Sequence, residues 1–165
     1  MELLLAVDKS DASIKAVRFV GNMFGGDTRN DVSVTILHVI ESLPDFLVQR
    51  CADTEAASAY REVAQEWTAN DREAAERLLA EQKQVLVDAG LAEASVQTLV
   101  VEKEARPNTE KVVAALAIIE EMQRGSYAVV CLGRRSTSPV GSVFLGSVAE
   151  KVLREAHGKT VWVVD

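Results

Sequence analysis

The sequence has few cysteines and no long hydrophobic run. Its two cysteines, Cys51 and Cys131, lie far apart and outside any Cys-x-x-Cys or Cys/His cluster, so neither a disulfide framework nor a zinc site is indicated. We expect two free thiols, with Cys131 in the core. The longest apolar stretches, such as residues 112–119, are much shorter than the roughly 20 residues of a membrane-spanning helix. No transmembrane segment is therefore predicted.

Basic residues are scarce relative to acidic ones, 18 against 25, which gives a formal net charge of −7. An acidic surface repels a phosphate backbone, so we expect no DNA or RNA partner. A small nucleotide is still compatible with this charge, because a binding site depends on nearby groups rather than on the net charge. The first residues lack the basic start and the long apolar stretch of a signal peptide, which predicts a cytoplasmic protein.

What is present is the composition of one globular domain. The chain has 165 residues, of which 48% are hydrophobic and 26% charged, and a domain typically holds ~100–200 residues. No internal repeat, low-complexity stretch or linker divides the sequence. We predict a single domain over residues 1–165.

Strand-like apolar runs alternate with helix-like segments along the chain. The predicted strands are residues 3–7, 32–40, 95–101, 127–132 and 160–164. The predicted helices are residues 12–20, capped by Ser10 or Asp11, then 54–89, 109–123 and 147–156. Strands joined by helical crossovers imply an α/β fold with a mainly parallel sheet and helices on both faces. Such sheets bind ligands outside the carboxyl ends of their strands, where the strand order reverses.

Residues 54–89 predict an unusually long helix, which Gly90 ends. The alternatives are a kink or a later start near Thr68, Asn70 or Asp71. One apolar stripe along this helix is formed by Val63, Trp67, Ala74, Leu78, Val85 and Leu86. The structure of residues 44–53, which precede the helix, is not predicted.

Residues 133–147 join a predicted strand to a predicted helix and are rich in Gly, Ser and Arg. Glycines allow an anion to approach the backbone closely. Gly146 and Ser147 stand at a helix N-terminus, where unpaired amides favour a phosphate. Arg134 and Arg135 add positive charge nearby. The alternative interpretation is a polar connection in which Ser147 caps the helix.

Two common nucleotide-binding motifs are absent. Gly141 and Gly146 have the spacing of a P-loop, but Ser147 occupies the position of the lysine that contacts the β and γ phosphates. No Gly-x-Gly-x-x-Gly follows the first strand. A P-loop NTPase and a Rossmann-type dehydrogenase are therefore not expected.

The order Gly133, two residues, Ser136, nine residues, Gly146, Ser147 resembles the ATP-binding motif of the universal stress protein family. Residues 145–154 are similar to the family helix that follows this motif, and residues 4–10 and 36–40 look like the family's first two strands. The resemblance extends over essentially the whole chain. ATP-binding members carry a glycine at the position of Ser136.

The resemblance implies an open five-stranded parallel sheet of order 3-2-1-4-5, in a Rossmann-like fold similar to the adenine nucleotide alpha hydrolases. It also implies a cytoplasmic dimer in stress responses that binds ATP or another adenine nucleotide, with magnesium held through the phosphates. By this resemblance Asp8 contacts the adenosine part. The adenine is walled by Ala6, Val7 and Val39, the ribose and phosphates lie near Leu132 and Gly133, and the phosphate chain is held by Ser136, Gly146, Ser147 and Val148.

Two functions are open at this point. In the first, the protein is a regulatory module whose cleft holds ATP. Hydrolysis is expected to be slow at most, because no residue is an evident base for activating water. In the alternative, the Cβ of Ser136 crowds the phosphates, so the cleft holds no nucleotide. The protein then acts in the stress response as a dimer, through protein partners.

An enzyme of a related nucleotide-hydrolysing or adenylating class is the least supported function, because the sequence shows no catalytic set of residues. His38 is expected in the core or on a sheet face, and His157 in a solvated turn. The apolar last strand, residues 160–164, is expected at the sheet edge, where it would pair with a second copy in a homodimer.

Overall fold

The computed structural model describes residues 1–26, 32–42, 55–104, 112–134 and 145–165, without the side chains of residues 55–65 and 67. The strands are β1 (Glu2–Ala6), β2 (Ser33–Ser42), β3 (Val96–Glu104), β4 (Val129–Gly133) and β5 (Thr160–Val164). The helices are α1 (Asp11–Phe24), α2 (Glu55–Asp88), α3 (Val113–Arg124) and α4 (Ser147–Glu155), with a 3₁₀ helix, Glu93–Ser95, before β3.

β1 lies at the centre of a five-stranded sheet with the order β3-β2-β1-β4-β5, and its four pairings are all parallel. The predicted α/β fold and strand order are confirmed. The chain leaves β1 toward β2 and β3 on one side and later returns to β4 and β5 on the other. The order therefore reverses between β1 and β4, and the carboxyl ends of these strands are where a ligand is expected.

The apolar run at the start of the chain is buried on both faces of the sheet. Leu3 and Leu5 belong to the hydrophobic cluster on one face, whereas Leu4 and Ala6 belong to the cluster on the other. Helices α1 and α2 cover the first cluster, and α3 and α4 cover the second. Because both faces are covered, β1 shows an unbroken apolar run rather than an alternating pattern.

Helix α2 is one helix of 34 residues, so the alternative of a later start is wrong. Its most buried described residues are Ala75, Leu79, Gln82 and Leu86. Val85, which was predicted in the buried stripe, is 36% exposed; the buried Gln82 is polar and so conceals the true spacing of the stripe. The side chains of Val63 and Trp67 lie outside the described part of the chain. No described helix is long and apolar enough to cross a membrane.

Several predicted boundaries differ from the structure, among them the start of α3 and the end of β3. α3 begins at Val113 rather than at residue 109, because Val112 has a φ of −134° and a ψ of 6°, which are not helical. Residues 105–111 lie outside the described residues. β3 continues past residue 101 to Glu104, since its ladder with β2 extends to the pair Ser42 and Glu104. Backbone hydrogen bonds to a neighbouring strand form at polar residues as well as at apolar ones. A search for apolar runs therefore places the end of such a strand too early.

Cys131 lies in the middle of β4 and is fully buried, as predicted. Burial raises the pKa of its thiol to about 12. The unfolded chain, with a pKa near 9.0, then loses this proton at a lower pH than the folded protein does. Cys131 therefore lowers the free energy of unfolding as the pH rises from about 9 to about 12. Cys51 lies outside the described residues.

In a Cys51→Ser variant, we expect Cys131 to react with an aromatic disulfide reagent at least about a hundredfold more slowly in native buffer than in denaturant. Urea titrations between about pH 9 and about pH 12 should show a steeper loss of stability in this variant than in one that also carries Cys131→Ala. Rapid labelling of the native protein, or equal slopes for the two variants, would contradict the burial of this thiol.

Candidate functional site

A cavity of about 450 Å³ opens at the carboxyl ends of β1, β2 and β4. It lies at the point where the strand order reverses, which is the place expected for a ligand in this type of sheet. Its volume is in the range of small-molecule sites. Its polar lining is formed by Asp8, Ser10, Ser13, His38, Glu41 and Ser147, and its apolar lining includes Val39, Ile118, Leu132 and Leu145.

Most of the residues proposed from the sequence are brought together at this cavity. The lining includes Ala6, Val7, Asp8, Val39, Leu132, Gly133, Gly146, Ser147 and Val148. Arg134 is not part of the described lining, and Arg135 and Ser136 lie outside the described residues. A role for Arg135 and Ser136 stays a prediction.

The carboxylate of Asp8 is held by the first turn of α1. Its Oδ1 accepts hydrogen bonds from the Ser10 backbone N–H at 2.9 Å and from the Ser13 hydroxyl at 2.7 Å, and a further one from the Ser10 hydroxyl. Ser10 is also the N-cap of α1. Because several donors converge on one oxygen, the carboxyl group keeps a fixed orientation at the cavity wall. The sequence predicted Ser10 or Asp11 as the cap, and Ser10 is the cap. It did not predict that Ser10 and Ser13 orient Asp8.

His38 is a cavity residue that the sequence reasoning missed. Its Nδ1 lies 2.8 Å from the carbonyl oxygen of Val7, and the ring lines the cavity. The signal available in the sequence was its position beside Val39, near the carboxyl end of a predicted strand. That signal was weak, since the contact with Val7 joins residues 31 positions apart.

The N-terminus of α4 forms the part of the cavity that suits an anion. Gly146 is the N-cap residue, with a φ of 79° and a ψ of 142° and no side-chain cap. The following residues, Ser147, Val148 and Ala149, line the cavity with it. The N–H groups of the first helical turn and the positive end of the helix dipole are thus directed at this region. The alternative in which the Ser147 side chain caps the helix is wrong, because Ser147 is the first helical residue.

Gly133 packs so closely against the backbone of Ala12 that a side chain at this residue would overlap with it. A Cβ at this residue would lie 2.4 Å from the carbonyl carbon and oxygen of Ala12, in α1. The end of β4 therefore touches the backbone of the helix that carries Ser13 and follows Asp8. Its place in the lining is compatible with the predicted approach of ribose or phosphate, which stays a prediction.

Arg134 contacts the end of β5 and the residue that follows it. Its guanidinium forms an ion pair with Asp165 at 2.8 Å, and its backbone N–H donates to the carbonyl oxygen of Val164 at 2.6 Å. These contacts join the ends of β4 and β5. A contact between Arg134 and a phosphate stays a prediction.

The acidic side chains of the cavity and the helix start that suits an anion belong to different parts of its wall. The carboxyl groups of Asp8 and Glu41 lie on the β1 and β2 side, and the N-terminus of α4 lies on the β4 side. The arrangement suits a ligand with an apolar ring, hydroxyl donors and an anionic group. No group of three or more His, Cys, Asp or Glu side chains suited to a metal ion occurs among the described residues.

A family model described as the universal stress protein family matches residues 1–165. The hypothetical protein MJ0577 is 20% identical, with 99% of this chain and 94% of that chain covered and a TM-score of 0.70. A universal stress protein from Archaeoglobus fulgidus is 17% identical, with 100% and 98% covered and a TM-score of 0.61. A universal stress protein in complex with cAMP is 16% identical, with 99% and 95% covered and a TM-score of 0.60. At these identities the likeness shows a shared fold. No curated protein matches the chain.

Proposed function

The chain belongs to the universal stress protein family, and we propose that it binds ATP or another adenine nucleotide in the cavity at the carboxyl ends of β1, β2 and β4. The observation that carries this proposal is that Asp8 and the Gly146 helix start line the same cavity. Binding would make the protein a nucleotide-dependent regulator in stress responses. The structure of a family member in complex with cAMP supports an adenine nucleotide as the class of ligand.

Each part of an adenine nucleotide has a chemically suitable surface here. Ala6, Val7 and Val39 offer apolar contact to the base. A carboxylate repels phosphate and accepts hydrogen bonds from hydroxyl groups, so Asp8 suits the ribose. The N-terminus of α4 suits a phosphate, because its N–H groups and dipole favour negative charge. Magnesium would reach the site through the phosphate oxygens, which is usual for this ion.

Calorimetric titration tests the proposal directly. We expect saturable one-to-one binding of ATP, AMP or cAMP, with CTP as the control for the base. Repeating the ATP titration without magnesium separates binding of the free nucleotide from binding of its complex. An absence of heat with every adenine nucleotide, at protein concentrations that keep the chain folded, would contradict the proposal.

We also propose that β5 mediates a homodimer. Among the described strands, β5 pairs on one side only, with β4, and is an edge of the sheet. Its residues Val161, Trp162, Val163 and Val164 are partly buried. Trp162 packs edge-on against Phe19, with ring centroids 5.7 Å apart, and stacks on Phe24 at 6.2 Å. A well-packed apolar edge strand is a natural site for pairing with a second copy.

Sedimentation velocity over a dilution series should give twice the mass of the chain at micromolar concentration. A monomer throughout the series would contradict the dimer. A dimer that binds no nucleotide would instead favour the second candidate function, in which the protein acts through protein partners. The exposed edge of β5 is the observation that favours that candidate.

A further inference from the structure

We infer that His38 is a positioning residue for the nucleotide site: its Nδ1–H fixes the peptide between Val7 and Asp8, and through that peptide it orients the Asp8 carboxylate toward the ribose. The role of Asp8 in this inference rests on the proposed function. The hydrogen bonds of His38 and Ser13 with this peptide are observed independently of that function.

The peptide between Val7 and Asp8 is held at both of its polar atoms by side chains. The carbonyl oxygen of Val7 lies 2.8 Å from His38 Nδ1, in β2. The N–H of Asp8 donates to the Ser13 hydroxyl at 2.8 Å, in α1. β1 ends at Ala6, and the N–H of Val7 still donates to the carbonyl oxygen of Leu37 in β2 at 2.9 Å, so the peptide between Val7 and Asp8 is the next one beyond the ladder with β2. One side chain from β2 and one from α1 thus hold this peptide, which lies beyond the end of β1.

A carbonyl oxygen only accepts hydrogen bonds, so His38 must carry a hydrogen on Nδ1. The neutral ring is then the Nδ1–H tautomer, with Nε2 unprotonated. This assignment follows from the partner atom and from the 2.8 Å separation.

Asp8 is oriented from two directions by this arrangement. Ser10 and Ser13 determine the direction of its carboxyl group, because both donate to Oδ1. His38 determines the plane of the peptide from which that side chain departs. Losing the His38 hydrogen bond would leave the Val7 carbonyl without this donor, and the peptide, then held by the Ser13 hydroxyl alone, would rotate more easily. The carboxyl group would then spend less time in the orientation that receives a ribose hydroxyl.

The matched variants are His38→Asn and His38→Leu, which have the same size and branching. The amide nitrogen of Asn is as many bonds from the backbone as Nδ1 of His, so His38→Asn keeps a donor and His38→Leu removes it. Calorimetry with ATP and with 2′,3′-dideoxyadenosine triphosphate, which lacks the ribose hydroxyls, separates the orientation of Asp8 from other effects. Thermal melts verify that both variants are folded.

We expect His38→Leu to weaken ATP binding about tenfold and His38→Asn to stay within about threefold of the natural protein. The dideoxy nucleotide should bind all three proteins within about twofold of one another. Equal ATP affinity in all three proteins would overturn the inference. Equal losses for both variants with both nucleotides would also overturn it, because the ring would then have only a packing role.

A second measurement needs no nucleotide and so separates this inference from the proposed function. The sequence has two histidines, and His157 is exposed, so nitrogen spectra of the imidazole rings are simple to assign. We expect His38 as the Nδ1–H tautomer, the minor one in water, and faster exchange of the Asp8 amide hydrogen in His38→Leu than in His38→Asn. An Nε2–H tautomer, or equal exchange in the two variants, would overturn the inference even if ATP binds. A natural protein that binds no nucleotide, together with the expected spectra, would contradict the proposed function alone.

Discussion

Replacing Gly146 with alanine is expected to weaken ATP binding by about tenfold to a hundredfold. Gly146 combines a φ of 79° with a ψ of 142°, a conformation that costs a residue with a Cβ about 1–3 kcal/mol. The variant relieves this strain by moving the start of α4. The N–H groups of the first turn then no longer point at the phosphate. Calorimetry of the variant with ATP and magnesium measures the loss.

Gly158→Ala is the matched control for this prediction. Gly158 also has a positive φ, 71°, and a Cβ there would meet no atom within 4 Å. It is not part of the cavity lining. The control should lose stability in a similar way and keep its affinity for ATP. Similar losses of affinity in the two variants would show that general destabilisation, rather than the position of the α4 start, is responsible.

Replacing Gly133 with alanine is expected to lower the free energy of unfolding by about 2–3 kcal/mol, because an added methyl group overpacks a contact between two backbones. The new Cβ would lie 2.4 Å from the backbone of Ala12 and 2.8 Å from its Cβ. Backbone atoms cannot rotate away as a flexible side chain does, so β4 and α1 must separate. Urea unfolding followed by circular dichroism measures the change.

Gly21→Ala is the control for the effect of adding a methyl group at a buried glycine. Its Cβ would lie 3.0 Å from the Cβ of Ala89 and 3.6 Å from a Leu86 methyl group, which are side-chain contacts. Alanine also favours a helix over glycine by about 1 kcal/mol, and Gly21 lies inside α1. We expect a net change within about 1 kcal/mol. A loss equal to that of Gly133→Ala would contradict the special role of the β4 and α1 contact.

The fold was predictable in large part because two of its strands, β1 and β4, are buried on both faces. The first strand is an unbroken apolar run, and β4 is similar, with Val129, Val130, Cys131 and Leu132 all buried. Such runs, separated by helical segments, leave little choice of architecture. Element ends were less predictable, since β3 is extended by pairing with β2 rather than by its own apolar residues.

The lining of the cavity was predictable where it depends on residues close together in the sequence. Gly146 and Ser147 were identified from their place at a helix start, and Asp8 from the end of a strand and the family motif. The contacts of His38 with Val7, of Gly133 with Ala12 and of Arg134 with Asp165 join distant parts of the chain. They depend on how neighbouring strands and helices meet, which no local pattern contains.

A crystal structure of the protein grown with ATP and magnesium tests the central claim most directly. We predict density for an adenine nucleotide in the cavity, with a phosphate oxygen within hydrogen-bond distance of the backbone N–H groups that follow Gly146 and a ribose hydroxyl on the Asp8 carboxylate. A cavity that holds only water at saturating nucleotide, or a nucleotide bound elsewhere on the protein, would contradict it.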